Sequence, residues 1–273
     1  MKIKENIMKW LVWASIALTA ATLAFIVLFV VVKGLPYLKP SLFSLTYNSV
    51  NVSLTPALIS TVILTALALV IAVPFGVFAS IFLVEYAKRG SKIVKFIRAM
   101  SETLAGIPSI VFGLFGMLFF VTFLGFGFSV LSGALTLAIM VLPIVLRSSE
   151  EALLAVPDSL REGSLSLGAG KLRTIFKVVL PAAAPGIFGG VILSSGRVVG
   201  ETAALIYTAG TVAQIPYSPL QSARTLSVHM YALSGESLHV GEGYATAIVL
   251  LVLVAVINVA SSAILKRANR NRI

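Results

Sequence analysis

The stretch SSGRVVGETAALIYTAG, residues 194–210, sets a guanidinium and a carboxylate, Arg197 and Glu201, four residues apart among apolar neighbours. On a continuous helix that spacing puts both on one face, about 6 Å apart along the axis. A charged residue at a bilayer centre costs at least ~3 kcal/mol on insertion scales, so such residues face a bundle interior or a water-filled path. Two kinds of chemistry fit. The pair can be a structural brace between helices, or Arg197 can receive an oxyanion. A guanidinium stays charged at any working pH and matches oxyanion geometry with two parallel hydrogen bonds. Glu201 then either neutralises Arg197 at rest or accepts a proton carried by the anion. Neutralisation is favoured, because a full negative charge beside a dianion costs more than one hydrogen bond returns. The hydroxyls of Thr202, Ser194 and Ser195 are further candidate donors.

The elements that must hold these residues are membrane helices. A soluble domain has roughly a quarter charged residues. This 273-residue chain has 11%, with 58% hydrophobic residues and a mean hydropathy of +1.03. The lack of cysteine excludes disulfides and thiolate metal sites, and two histidines, His229 and His239, are too few for a haem or zinc reading. No metal or cofactor is expected. A span needs about 20 apolar residues, and six runs qualify: roughly 10–32, 57–85, 105–124, 130–147, 185–209 and 243–265. The first is too long for the apolar region of a signal peptide and lacks a clear cleavage site. Pro74, Pro108 and Pro143 lie in or near spans and should kink them. In span 5, Gly186, Gly190 and Ser194, then Gly196 and Gly200, stand four apart, a spacing that lets membrane helices approach closely.

Lysine and arginine placement orients the spans. If the N-terminus, the 2/3 loop, the 4/5 loop and the C-terminus share one side, that side holds seventeen of the 21 basic residues. The opposite side holds Lys33, Lys39 and Arg224, and Arg197 is intramembrane. Both termini are therefore expected in the cytoplasm. The net charge of +11 is a topology signal, and no nucleic-acid partner is expected. Two external segments are long, 34–56 and 211–243. The second, with a short surface helix in TLSVHMYALSGE, is expected to meet an extracytoplasmic protein, with Arg224 and His229 available at its surface. Glu85 and Glu102, at the cytoplasmic ends of spans 2 and 3, read as solvated.

The 4/5 loop, RSSEEALLAVPDSLREGSLSLGAGKLRTIFKVVLPAAAPG, is broken at Pro157, at Gly168 and Gly170, and at Pro181 and Pro185. Ser159 and Glu162 form a capping-box pattern that starts a short helix. Gly163, Ser164, Ser166 and Gly168 would let it fit closely into a partner's groove; the alternative is an ordinary solvated loop. The same stretch imitates a phosphate-binding P-loop, but Ala169 follows Gly168 where lysine is required, and Leu172 follows Lys171 where a hydroxyl is required. No ATPase site and no catalytic residue are expected.

This loop resembles the EAA motif of ABC importer permeases. Glu162, Gly163 and Ser164 stand at the E-A-A positions, Gly168 follows at the family spacing, Val178 takes the isoleucine place, and Leu180-Pro181 closes the motif. The stretches 81–116, 196–210 and 222–235 are similar to the PstA-type permease of the phosphate-specific importer. The resemblance implies an all-α membrane protein of six transmembrane helices. Its MetI-like core would be spans 2–6, residues 57–273, with the coupling loop at about 150–181. Residues 1–56 would supply a leading helix and an external loop. It implies inorganic phosphate as substrate, transported on a path that includes Arg197. It also implies a second, PstC-like permease subunit, two PstB-like ATP-binding subunits, a PstS-like extracytoplasmic phosphate-binding protein, and membrane lipid around them. An ABC permease for sulfate, molybdate or phosphonate, and a secondary anion transporter, are the alternatives.

Overall fold

A computed structural model of the chain describes residues 2–88, 90–235 and 239–270, with side chains placed for residue 6 and for most of 8–263. Arg89 and the side chains of Lys2, Lys4, Lys266, Arg267, Arg270 and Arg272, all part of the charge count, lie outside the described residues, as does 236–238 of the second external segment.

The described residues are helical, with no strand. Helix α1 (Lys2–Gly34) is followed by α2 (Thr55–Ile81), which continues as a π turn over Phe82–Tyr86. Next come α3 (Lys92–Gly106) and α4 (Ser109–Gly116), the latter extended by a π turn over Met117–Phe123. Helix α5 (Val130–Leu154) leads into α6 (Asp158–Ser166) and α7 (Lys171–Thr174). A π turn over Ile175–Val179 joins α7 to α8 (Leu180–Val199). The chain ends with α9 (Ala203–Ile206), α10 (Leu226–Gly235) and α11 (Val240–Arg270).

Five stretches are long and apolar enough to cross a membrane: Met8–Tyr37, Thr55–Tyr86, Val130–Leu154, Lys171–Val199 and Val240–Ala263. The third expected span is different. Lys92–Gly106 and Ser109–Phe123 meet at 101°, so only the second half follows the expected 105–124 run. Pro108 makes this corner, since a proline forces the residue before it out of the helical region, and Ile107 is extended. Pro74 and Pro143, by contrast, sit inside unbroken helices.

The centre is the pair α2 and α5. A Cβ on Gly76 would come within 2.7 Å of Val145 Cγ1, so only glycine permits this approach. Leu64, Ala68, Ala72, Leu137, Met140 and Val141 fill the seam, with Val198, Leu205 and Val228 closing one end. Helix α8 joins α5 through the expected small-residue stripe. Cβ atoms on Gly186 and Gly190 would collide with Ala152 and Ser148, and Ser194 is fully buried. Helix α1 stays outside this packing. Its apolar stretch is unburied and it leans on α11, with Phe29 edge-on to Tyr244 at 5.9 Å.

At the end of the bundle away from α6, the two segments expected to be external fold onto each other. Leu42, Val52 and Leu54 share an apolar cluster with Leu226 and Leu233, and the Leu226 N–H donates to Thr61 Oγ1 at 2.9 Å. The second segment is thus a folded lid over the bundle. His229 is fully buried in it, which overturns the expectation of a histidine available at the surface. The exposed large apolar residues of the lid include Tyr217, Leu220 and Tyr231.

Candidate functional site

The expected span 185–209 is not one helix. Helix α8 stops at Val199, Gly200 closes it, and the Glu201 N–H donates to Val198 O at 3.1 Å before the chain restarts as α9. The sequence Gly-Glu-Thr explains the break. Glycine has the lowest helix propensity after proline, and acceptor side chains at a helix start compensate its free N–H groups. Glu201 does this directly: it is buried, and its Oε1 accepts the Ala204 N–H at 3.1 Å. Its carbonyl accepts Ser227 Oγ at 2.6 Å, which ties the break to α10.

Arg197 is therefore separated from Glu201. Among the described residues no ion pair or hydrogen bond engages its guanidinium, and it is exposed. It emerges from α8 next to Gly196 and Gly200, where added Cβ atoms would meet no other element. The expected shared face and the expected neutralisation of Arg197 by Glu201 are both overturned, and a brace between the two goes with them. The hydroxyls disperse as well. Ser194 Oγ is buried without a partner. Ser195 donates to Ile192 O at 2.7 Å and lines an apolar groove of about 410 Å³ with Thr61, Thr65, Leu253 and Ile257. Thr202, partly exposed beside the break, is the one hydroxyl of the set that accompanies Arg197 to the outside.

The second candidate region is the loop from Leu154 to Leu180. Helix α6 starts at Asp158, with Pro157 at its cap and no side-chain capping bond, so the expected box of Ser159 and Glu162 does not form. Asp158 in the first turn suits the positive end of the helix instead. Gly168 ends the helix with φ +81°, a conformation suited to glycine. The outer face carries exposed Leu160, Leu165 and Leu167, the last 90% exposed, beside Glu162 and Gly163. An added Cβ at Gly163 would meet nothing. Ser164 bonds Thr174 at 2.9 Å, and Leu180 packs into the apolar floor of Ile81, Leu153, Ile175 and Val179. Pro181 lies in the first turn of α8.

The inner face holds what the sequence reading missed. Arg161 Nε donates to Glu85 Oε1 at 3.0 Å, with Nη2 2.9 Å from the same oxygen. Its Nη2 donates to Leu153 O at 2.8 Å, and its Nη1 to Val156 O at 2.7 Å and Asp158 Oδ1 at 3.1 Å. Glu85, expected to be solvated, has a side chain only 10% exposed. A carboxylate in the last turn of an otherwise apolar span was the available signal. Nearby, Arg98 Nε donates to the nearly buried Glu150 at 2.7 Å. Glu102 is exposed, as expected.

In the lid, His229 Nδ1 lies 3.4 Å from Arg224 Nη1. Since arginine only donates, the ring proton belongs on Nε2. Burial first, then the Arg224 charge, push the imidazole down to about 4 against a weaker upward pull from the Val52 backbone.

A helical membrane bundle with a short, outward-facing helix between two of its central spans is the architecture of ABC importer permease subunits. Residues 72–272 match the family described as the binding-protein-dependent transport system inner membrane component, and the chain belongs to that family. It is 40% identical over 185 residues to the probable ABC transporter permease protein YqgI of Bacillus subtilis, a match covering 63% of each chain, less than two thirds of that protein. It is 38% identical over 220 residues to the phosphate transport system permease protein PstA 1 of Mycobacterium tuberculosis H37Rv, covering 79% of this chain and 70% of that one. A probable PstA of Methanocaldococcus jannaschii is 33% identical over 233 residues, covering 85% and 82%. Among solved structures, a chain of a bacterial alginate ABC transporter superposes with a TM-score of 0.65 at 15% identity, covering 93% of this chain and 94% of that one. One from the methionine transporter MetNI gives 0.59 at 20%, covering 78% and 93%. These two carry the fold alone.

Proposed function

We propose that the chain is one permease subunit of an ATP-driven importer that moves inorganic phosphate across the cytoplasmic membrane. The relatives of Mycobacterium tuberculosis and Methanocaldococcus jannaschii are named as phosphate transport permeases, the second as a probable one. The observation that carries a role for this chain is Arg197, an exposed guanidinium with no partner among the described residues, at the end of an interrupted membrane helix. Broken helices with freed backbone groups are where membrane transporters place small ionic substrates. Arg197 receives the phosphate with two parallel hydrogen bonds, and Thr202 offers a further donor. Glu201 shapes the break by capping α9. Ser194 and Ser195 support the helix around it.

Both termini and α6 face the cytoplasm, following the basic residues. The outer face of α6, with Glu162, Gly163, Ser164 and Gly168, docks on an ATP-binding subunit, and Leu180-Pro181 passes the movement into α8. A second, PstC-like permease completes the path, two PstB-like subunits hydrolyse ATP, and a PstS-like protein delivers phosphate near Tyr217 and Leu220. The chain itself performs no covalent chemistry. Residues 57–273 form the permease core, and 1–56 the leading helix and loop.

Phosphate uptake by the assembled complex in vesicles, with sulfate as competitor, tests the reading. Uptake should be phosphate-selective and vanish in Arg197→Met at unchanged assembly. Normal uptake by that variant overturns the role of Arg197, and equal competition by sulfate overturns the substrate.

A further inference from the structure

We propose that Arg161 is a positioning residue that locks α6, the end of α2 and the end of α5 into one rigid body, so that movement of the ATPase reaches the spans without loss; this rests on the reading that α6 meets the ATPase. The guanidinium spends its donors on three elements at once. It holds Glu85 on the π turn that ends α2, the carbonyls of Leu153 and Val156 where α5 runs out, and Asp158 in the first turn of its own helix. Its side chain is 16% exposed, so water competes poorly for these bonds. The Leu153 and Val156 carbonyls lie where helix α5 gives out and intrahelical donors run short, so Arg161 also serves α5 as a C-terminal cap.

Two further contacts run in parallel. Lys171 sits 4.5 Å above the Tyr86 ring, next in sequence to Glu85, and Ser164 bonds Thr174. Below lies the apolar floor of Ile81, Leu153, Val156, Ile175 and Val179. The face of α6 turned outward is bare, and the face turned inward is tied at every turn. A helix held this way cannot tilt against α2 and α5 without breaking charge-assisted bonds, the strong class of hydrogen bond.

The arrangement predicts an asymmetry that a simple ion pair would not give. Glu85→Gln keeps an acceptor for Arg161 and leaves both carbonyl links. Arg161→Gln loses all three elements. Exchanging the two charges, Glu85→Arg with Arg161→Glu, restores the pair but points a carboxylate at the Leu153 and Val156 carbonyls, so it does not rescue.

The experiment uses the full complex in vesicles with two readouts. The first is phosphate moved per ATP hydrolysed. The second is the distance between nitroxides at Ser166→Cys and Lys88→Cys, exposed positions on α6 and just past α2 in a chain with no cysteine. In the wild type the distance distribution is narrow and the same in the nucleotide-free and ATP-trapped states. In Arg161→Gln it broadens, and phosphate per ATP falls about tenfold, within the usual range of coupling free energies, while ATP hydrolysis persists. Arg161→Lys, with one compact charge, falls between, and Glu85→Gln stays nearer the wild type. Should Arg161→Gln not assemble, Arg161→Lys and the charge exchange are scored by the same readouts. A wild-type ratio with a narrow distribution in Arg161→Gln or, if that variant does not assemble, in Arg161→Lys, or full rescue by the exchange, overturns the proposal. A Ser166→Cys label as mobile with the wild-type ATPase as without it overturns the docking reading instead, and the coupling role with it.

Discussion

Arg161 and Arg197 are the same side chain in opposite conditions. Arg161 is nearly enclosed and meets Glu85, Asp158 and two main-chain carbonyls. Arg197 is exposed and, among the described residues, meets no acceptor. A satisfied guanidinium has its geometry fixed and nothing left to offer. An unsatisfied one in an apolar chain is costly to keep and retains all five donors for something that comes and goes. In the proposed function the first belongs to the machinery that moves, and the second to the path that the cargo takes.

The sharpest way to break this contrast is to remove Arg197. Because no partner among the described residues is left behind, Arg197→Met should assemble with an unchanged unfolding temperature and yet lose phosphate uptake by roughly 100-fold, the scale of removing one preorganised charge donor. Arg197→Lys keeps the charge, loses the planar fork and should recover little. A drop in stability equal to the drop in uptake would make Arg197 structural after all, and the comparison would fail.

Arg161 should show the converse. Arg161→Met leaves Glu85 buried without its counter-charge, a situation that costs about 3–5 kcal/mol, and it should lower the unfolding temperature of the isolated permease before any ATPase is added. If stability holds, the interior contacts of Arg161 are not what fixes α6.

Much of this was legible in the sequence, and the failures have causes. The first, second, fourth and sixth spans followed from apolar length, and α6 from the breaks at Pro157 and Gly168, whereas the third is bent at Pro108 and the fifth runs over Lys171–Val199. The close approach of α8 to α5 followed from Gly186, Gly190 and Ser194. The pairing of Arg197 with Glu201 assumed that an apolar run is one helix. Gly200 and the capping carboxylate of Glu201 ended it locally, and apolar periodicity carries no trace of that. Glu85 was read as solvated because its partner, Arg161, is 76 residues away, and no local pattern joins them. His229 looked polar and external because the folding of residues 34–56 over it depends on contacts between distant segments.

That lid makes a smaller prediction about pH. His229 stays neutral when folded down to about 4, whereas an unfolded histidine protonates near 6.5. Between these values the unfolded chain binds the extra proton, so stability falls as pH falls through the window. At pH 5 the loss should be about 2 kcal/mol, seen as a lower unfolding temperature than at pH 7.5. His229→Gln should flatten that dependence. Unchanged pH dependence in the variant would place the acid-sensitive group elsewhere.

The smallest effect expected is at Glu201, and it decides how far the contrast between the arginines extends along α8. In this structure Glu201 is a cap: its Oε1 receives the Ala204 N–H, and its carbonyl receives Ser227 Oγ. Glu201→Gln keeps an oxygen acceptor at the same place and should be close to neutral for stability. Glu201→Ala removes it and should cost about 1 kcal/mol, the usual magnitude of a lost helix cap. Both should retain most of the uptake, because the carboxylate does not reach Arg197. Thermal unfolding of the purified complex and uptake at saturating phosphate measure the two quantities separately. Loss of uptake in Glu201→Gln at unchanged stability would mean that the carboxylate acts on the anion or on Arg197 in another state of the transport cycle. The unpaired condition of Arg197 would then be one step in that cycle, and Glu201 would have to be counted with the path.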